Sequence, residues 1–260
     1  MADGRSDVLS ECGGAGAEPM LLSSPNASVA RSLLFAHAMR RSLAGESVLF
    51  LCPSPAALEG APFANPAHGL QVDTLETEAA LSRIHFKYLG SDTLLRQFLA
   101  GAHTMRTPPG LLVVDDLAAF LSSGDAHPPA EHAGGAGVYD VAARLQRTLA
   151  LAVNAADFFA RAVRPDGPNT CSLIVAVIER VLPPLGAADT TARKRWFKRR
   201  LRIEGPLAGP AAVLLGQYMV ADALLGDLAR FELGMARRRA SGAHGPADGD
   251  HLELTLMISP

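Results

Sequence analysis

The chain has 260 residues, of which 48% are hydrophobic and 5% aromatic, and its formal net charge is −2. This composition predicts one sizeable domain whose core is built largely from Leu, Val and Ala. The sequence has three scattered cysteines, Cys12, Cys52 and Cys171, which are too few for a disulfide framework, so a reducing compartment is expected. The histidines share no ligand spacing with one another or with the cysteines, so no metal site is predicted. No run of 18 or more apolar residues is present, so we expect no membrane-spanning helix and no membrane partner.

The N-terminal half predicts a leader followed by alternating strands and helices. Residues 1–18 are acidic and rich in Gly and Ala, which predicts a disordered leader without a secretory signal or transit peptide. The elements expected next are a strand at about 19–22, a helix at 27–43, a strand at 47–52, a Pro/Gly-rich loop excursion at 53–72, a briefly helical or irregular segment at 75–81, a strand at 83–89 and a helix from Ser91 or Asp92 to His103.

The middle of the chain continues the same alternation. An apolar strand at 110–116 is followed by a loop excursion at 123–136, a long helix at about 138–163 and a continuous apolar strand at 171–178. Strands that alternate with helices imply right-handed crossovers, so the sequence predicts an α/β fold with a mainly parallel central sheet.

The last eighty residues have a less regular pattern. The domain is expected to extend over residues 19–234, with a third loop excursion at 186–210. Within its C-terminal part the sequence predicts a weak strand at 211–215 and a helix at 223–231. A Gly/Ala-rich flexible linker is expected at 235–250, followed by a terminal strand at 251–260.

The segment Pro19–Phe35 lies where a nucleoside triphosphatase carries its phosphate loop. Laid on the pattern G-x-x-x-x-G-K-[ST], Ser24 and Val29 replace the glycines, Ala30 replaces the lysine and Arg31 replaces the hydroxyl residue. Glycines let backbone N–H groups converge on phosphates, and the lysine neutralises charge near the transferred phosphoryl group. The sequence therefore predicts a remnant of a nucleotide site, although a shifted register in which Arg31 and Ser32 restore nucleotide binding remains as an alternative.

The strand Gly110–Val114 ends in two carboxylates. Asp115 would orient the metal ion if a nucleotide bound, because a buried parallel strand commonly delivers an Asp to that position. The alternative is that Asp115 and Asp116 end a strand and cap the segment after it. We expect no cofactor, with ATP and Mg²⁺ as the less favoured possibility, and no catalytic residue.

A basic segment follows the last predicted core strand. Seven of the ten residues from Arg193 to Arg202 are Lys or Arg, and the only tryptophan of the chain lies among them. Cations bind phosphates at any sequence and an aromatic ring offers a face for stacking, so the segment predicts single-stranded DNA binding. The alternatives are a solvated basic helix face and a nuclear import signal. The candidate DNA-binding residues are Arg193, Lys194, Arg195, Trp196, Lys198, Arg199, Arg200 and Arg202.

The order and spacing of several of these segments resemble the core of RecA-type recombinases. The segments are Ser32–Ala36, Ser47–Leu51, Arg83–Tyr88 with Leu94–Leu99, and Gly110–Leu117. Within that superfamily the chain is similar to the small paralogue that partners a SWIM zinc-finger protein in Shu-type recombination complexes. The resemblance covers roughly residues 19–180 and implies a RecA-like three-layer domain. The degraded phosphate loop departs from the full glycine-lysine-threonine motif that some members keep.

The resemblance also implies a function. It predicts a nuclear, non-catalytic accessory factor in homologous recombination and double-strand break repair. Its expected partners are a SWIM-type zinc-finger protein, single-stranded DNA and a RecA-type recombinase or its paralogues. Two alternatives remain: a DNA-stimulated ATPase with an irregular phosphate loop, and a RecA-fold scaffold subunit that does not bind DNA.

Overall fold

Strands and helices alternate along the chain from Met20 to Ile178, four more strands follow, and the described strands join in one sheet. A computed structural model describes residues 9, 18–59, 75–122, 136–162, 171–178, 195–205, 216–222, 226–237 and 252–259. The described strands are Met20–Ser24 (β1), Val48–Cys52 (β2), Ile84–Tyr88 (β3), Leu111–Val114 (β4), Ser172–Ile178 (β5), Arg199–Glu204 (β6), Gly216–Asp222 (β7), Gly226–Arg237 (β8) and Leu252–Ser259 (β9). The described α-helices are Ala27–Leu43 (α1), Ala56–Glu59 (α2), Leu75–Leu81 (α3), Asp92–Ala100 (α4), Leu117–Ser122 (α5) and Ala136–Arg161 (α6).

The sheet has the strand order β3-β2-β4-β5-β1-β6-β7-β8-β9. The six strands from β3 to β6 are parallel, whereas β7, β8 and β9 are added antiparallel at the far side. The carboxyl ends of the parallel strands therefore meet at one edge of the sheet, where α/β proteins place their binding sites. The predicted mainly parallel α/β sheet is confirmed.

Helices cover both faces of the parallel strands, which gives three layers. On one face α1 packs on alternate strand residues; this first core cluster includes Leu22, Leu34, Phe50, Val113 and Ile174. On the other face α4, α5 and α6 pack on the intervening residues; this second core cluster includes Leu112, Val175, Phe120, Leu149 and Phe159. Strands covered on both faces need apolar side chains at every position, and this explains the continuous apolar runs in the sequence.

An ion-pair clamp, formed by Asp92, Arg96 and Arg144, joins the helices that pack on the second core cluster. The Asp92 carboxylate is only 1% exposed and accepts two hydrogen bonds from Arg144, from Nε at 2.9 Å and from Nη2 at 2.7 Å. Arg144 Nη2 also donates to the Leu121 carbonyl oxygen at 3.1 Å, and Arg96 Nη1 lies 2.8 Å from Asp92 Oδ2. The start of α4, the end of α5 and the middle of α6 are thereby connected through one carboxylate.

A second polar contact closes the opposite edge of the sheet, where the strands begin. Arg41, near the end of α1, forms an ion pair with Glu46 at 2.6 Å and donates to Ser172 Oγ at 3.2 Å and to the Gly110 carbonyl oxygen at 3.4 Å. The Glu46 side chain lies directly against the Cα of Gly110 and occupies the space that a Cβ would take. This close approach is the reason that glycine precedes β4.

The structure corrects four expectations. The helix predicted at 223–231 is wrong, because residues 226–237 form β8, which pairs with β7 and β9. The predicted loop excursion at 186–210 contains β6, and the predicted linker at 235–250 begins with the last three residues of β8. Leu9 lies in the predicted disordered leader but is fully buried in the first core cluster, since its apolar side chain joins that core.

Other predictions lie wholly or partly outside the described residues. The loop excursions at 53–72 and 123–136 are described only over 53–59, which includes α2, and at Ala136, where α6 begins. The strand expected at 211–215 falls outside, as do Arg193 and Lys194 of the basic segment and residues 238–250 of the expected linker.

Candidate functional site

The candidate site lies at the carboxyl edge of β1 and β4, at the position of a phosphate loop. Only Pro25 and Asn26 connect β1 to α1. Ser24 closes this turn with its hydroxyl group, which donates to the Asn26 carbonyl oxygen at 2.8 Å and accepts from the Asn26 N–H at 3.1 Å. The connection is therefore a tight turn rather than an open loop that wraps around a phosphate group.

The first N–H groups of α1 are satisfied by the chain itself. The Asn26 side chain accepts hydrogen bonds from the backbone N–H of Ser28 at 3.0 Å and of Val29 at 3.3 Å. This is an ordinary N-cap, which supplies acceptors to helix donors that otherwise lack them. Val29 and Ala30, which stand at the glycine and lysine positions of the motif, are buried in the first core cluster at 1% and 0% exposure. Neither side chain is available to a ligand.

Arg31 and Asp115 form a buried ion pair between α1 and the end of β4. Arg31 Nε donates to Asp115 Oδ2 at 2.7 Å, and Arg31 Nη2 lies 3.9 Å from Asp116 Oδ2. The Asp115 side chain is fully buried, and that of Arg31 is 11% exposed. The guanidinium group thus holds Oδ2 of the carboxylate that stands at the metal-orienting position of the motif.

Asp115 lies in a strongly desolvated environment. Burial raises its pKa to about 6 against the opposing charge and hydrogen bond of Arg31, and the nearby charge of Asp116 raises it further. Its second oxygen, Oδ1, is buried and has no hydrogen-bond partner among the described residues. The neighbouring Cys52 thiol has a raised pKa, chiefly because it is buried and also because of the Asp115 charge. The thiol is therefore uncharged at neutral pH.

Asp116 caps α5 from an unusual backbone conformation. Its φ angle is 60°, in the left-handed region that non-glycine residues rarely adopt, and its side chain accepts from the Ala119 N–H at 3.3 Å. Burial raises the pKa of Asp116, while hydrogen bonds from the backbone N–H groups of Ala119, Ile178 and Ala118 oppose that rise. The capping role considered for this carboxylate in the sequence is the one it performs.

The residues of this site do not fit a magnesium nucleotide. The N–H groups that would hold phosphates are capped by Asn26, no lysine stands at the motif position, and Arg31 forms an ion pair with Asp115. Of the residues predicted as a nucleotide-site remnant, Ser24, Arg31 and Asp115 lie at the sheet edge, whereas Val29 and Ala30 belong to the core. Asn26 was not among the predicted site residues, although its place directly before an apolar helix is typical of an N-cap.

The described part of the basic segment, residues 195–202, runs into β6, which pairs with β1. Trp196 is partly buried and packs against the second core cluster, with the Arg195 guanidinium 5.2 Å from its ring centroid. Phe197 next to it is fully buried. The Lys198 side chain is 82% exposed, and its Nζ lies 3.7 Å from Glu18 Oε1. Trp196 thus contributes to the packing of the core, and only part of its ring is exposed to solvent.

The arginines of β6 divide between the two faces of the sheet. Arg200 pairs with Leu21 and Arg202 with Ser23, on the face that carries the second core cluster, whereas Arg199 lies on the face of buried Leu201. Arg202 is exposed, with Nη1 3.9 Å from Glu204 Oε1. Arg199 Nη1 and Arg200 Nε are buried, and neither atom has a hydrogen-bond partner in the part of the chain that the structure describes. Among the described residues of the basic segment, the exposed cations are Arg195, Lys198 and Arg202.

Membrane spans and metal clusters are both missing from the described residues. No described helix combines the length and apolar character that crossing a bilayer requires. Within the same residues, no group of three or more His, Cys, Asp or Glu side chains is placed to hold a metal ion.

Comparison with known proteins supports the fold. The structure is similar to the crystal structure of flagellar accessory protein FlaH from Methanocaldococcus jannaschii, with a TM-score of 0.52 and 13% sequence identity over 99% of this chain and 97% of that chain. The fold is RecA-like. No protein-family model matches the sequence, and no curated protein sequence matches it. At 13% identity the likeness concerns the fold alone.

Proposed function

We propose that this protein is a non-catalytic, RecA-fold accessory factor in homologous recombination and double-strand break repair. It acts in the nucleus, binds single-stranded DNA and a SWIM-type zinc-finger partner, and supports filaments of a RecA-type recombinase or its paralogues. The support is the RecA-like fold together with the resemblance of the segments from Ser32 to Leu117 to the small subunit of Shu-type complexes.

The buried Arg31–Asp115 ion pair is the observation that carries the non-catalytic part of the proposal. An ATPase needs the phosphate-loop amides and the metal-orienting carboxylate free to receive Mg-ATP. Here an Asn side chain caps the amides, and a guanidinium 2.7 Å from Asp115 holds the carboxylate. The rival proposal, a DNA-stimulated ATPase, requires this pair to open. Phosphate release by the purified protein with and without single-stranded DNA distinguishes the two, because we expect no turnover above background in either case.

The exposed cations beside β6 support the DNA-binding part. Arg195 and Lys198 lie just before β6, at the edge where β1 and β6 begin, and Arg202 lies further along β6. Such positive charges bind the phosphate backbone whatever the bases. Changing all three to Gln should weaken binding to a fluorescent oligothymidine at least tenfold. The slope of log affinity against log salt should fall by about 2, because each lost phosphate contact on a single strand removes about 0.7.

A matched control removes the same charge elsewhere. Arg106, Arg147 and Arg161 are also exposed, belong to other parts of the chain than residues 195–204, and can be changed to Gln together. We expect this control to retain the affinity and salt slope of the unaltered protein. Equal weakening by both triple variants would attribute binding to overall charge and contradict a site at β6. Loss of nuclear accumulation with unchanged DNA affinity would assign the basic segment to import instead.

A scaffold without DNA affinity is the second candidate, and the packing of Trp196 favours it. A tryptophan that is partly buried against the second core cluster has less surface for base stacking than a free one. Trp196→Ala in a stacking role should weaken DNA binding at unchanged stability, whereas in a packing role it should lower Tm. Affinity purification from cells tests the partner: recovery of a SWIM-type zinc-finger protein is expected, and its absence from a complex that retains other partners contradicts the proposal.

A further inference from the structure

Among the described residues, acidic side chains outnumber basic ones where α1 meets the end of β4. Two buried carboxylates, Asp115 and Asp116, face one cation, the guanidinium of Arg31, at 2.7 Å and 3.9 Å. The adjoining Cys52 thiol is uncharged, since burial raises its pKa. Among the described groups in contact here, two carboxyl groups therefore share one guanidinium. A RecA-like fold with an intact nucleotide site would place a divalent metal ion at such a carboxylate.

We propose that the Arg31 guanidinium is a built-in replacement for a divalent cation, which holds α1 against the end of β4 without any nucleotide. Arginine suits this role because it stays charged when buried and makes directional hydrogen bonds to carboxylates. This explains how the chain keeps a RecA-like fold although the residues at its nucleotide position do not fit a magnesium nucleotide. The sheet edge is fixed in one state, and partner binding is independent of nucleotide. The inference does not depend on DNA or SWIM-protein binding.

The unpartnered oxygen of Asp115 supports this inference. Oδ2 accepts from Arg31, but Oδ1 is buried and lacks a hydrogen-bond partner among the described atoms. One guanidinium therefore satisfies only part of what the carboxylate can accept. Magnesium is commonly bound through one or two carboxylates together with several waters. Removal of the guanidinium should therefore uncover a site with measurable affinity for Mg²⁺ or Mn²⁺.

The test is thermal unfolding of Arg31→Ser in the full chain, with and without millimolar MgCl₂ or MnCl₂. Serine removes the cation and restores a hydroxyl group at the motif position. Without divalent ions its Tm should fall by roughly 6–20 °C, the shift expected for breaking a buried ion pair in a domain of this size. Divalent ions should restore at least half of that loss, whereas NaCl at equal ionic strength should not. The unaltered protein should show no divalent-dependent shift.

Two further variants make the result decisive. Arg31→Ser with Asp115→Asn should not respond to divalent ions, because the carboxylate that would bind them is gone. Arg31→Lys should keep most of the original Tm, because it retains a cation. The proposal is overturned if folded Arg31→Ser has the same Tm with and without divalent ions, or if the unaltered protein is itself stabilised by them. If Arg31→Ser does not fold with or without divalent ions, the deciding variant is Arg31→Lys. The proposal is then overturned if Arg31→Lys does not fold either.

Discussion

Replacement of Arg144 by Met should destabilise the protein by about 3 kcal/mol at neutral pH. The change keeps the apolar stem but removes two charge-assisted hydrogen bonds to Asp92, at 2.9 and 2.7 Å, and one to the Leu121 carbonyl oxygen. Loss of one partner from a buried ion pair costs about 3–5 kcal/mol. The lower end applies because the Arg144 side chain is 20% exposed and Arg96 remains 2.8 Å from Asp92.

The pH dependence of this effect gives a second, independent check. Burial alone would raise the pKa of Asp92, but the hydrogen bonds and charge of Arg144, with the charge of Arg96, bring it below its ordinary value of 3.8. A carboxyl group whose pKa is lowered by folding stabilises the fold above its unfolded pKa, and this contribution is lost as the pH falls below it. The difference between Arg144→Met and the unaltered protein should therefore shrink between pH 5 and pH 3.

Urea unfolding followed by circular dichroism measures both quantities. Arg144→Lys is the matched control: it keeps one positive charge but cannot make two parallel hydrogen bonds, so its loss should be intermediate. A difference below about 1 kcal/mol at pH 7 would refute the buried-clamp interpretation. An Arg144→Met effect that is the same at pH 7 and pH 3 would show that lost packing, and not the ion pair, is responsible.

Three further predictions concern the sheet and the site. Leu112→Ala should lower the free energy of unfolding by about 2–4 kcal/mol in urea titrations, because Leu112 is fully buried on β4; an unchanged midpoint would contradict its central position. Gly110→Ala should lower Tm, because its Cβ would collide with the Glu46 side chain, whereas Gly90→Ala, which meets no atom within 4 Å, should leave Tm unchanged. Folding raises the pKa of Asp115 from 3.8 to about 6. The contribution of Asp115 to the free energy of unfolding is therefore present below pH 4 and is lost as the pH rises through 6. A double variant that makes both Arg31 and Asp115 apolar should lack this pH dependence in urea titrations.

The parallel half of the fold could be predicted from the sequence because its signals are local. Continuous apolar runs at β2, β4 and β5 identify strands buried on both faces, and helix caps such as Ser91 mark where helices begin. These signals need no knowledge of distant residues. The prediction of a helix at 223–231 failed because its Ala- and Leu-rich sequence favours a helix locally, while pairing with β7 and β9 makes it a strand.

The candidate site was only partly predictable for a related reason. The sequence by itself determined that the phosphate loop lacks its glycines and its lysine, because those positions are read directly from the motif. Only the tertiary structure decided what takes their place, since Arg31 and Asp115 are 84 positions apart and meet because β1 and β4 end at the same sheet edge. A long-range ion pair leaves no periodic trace in a sequence, whereas a strand, a cap or a lost motif residue does.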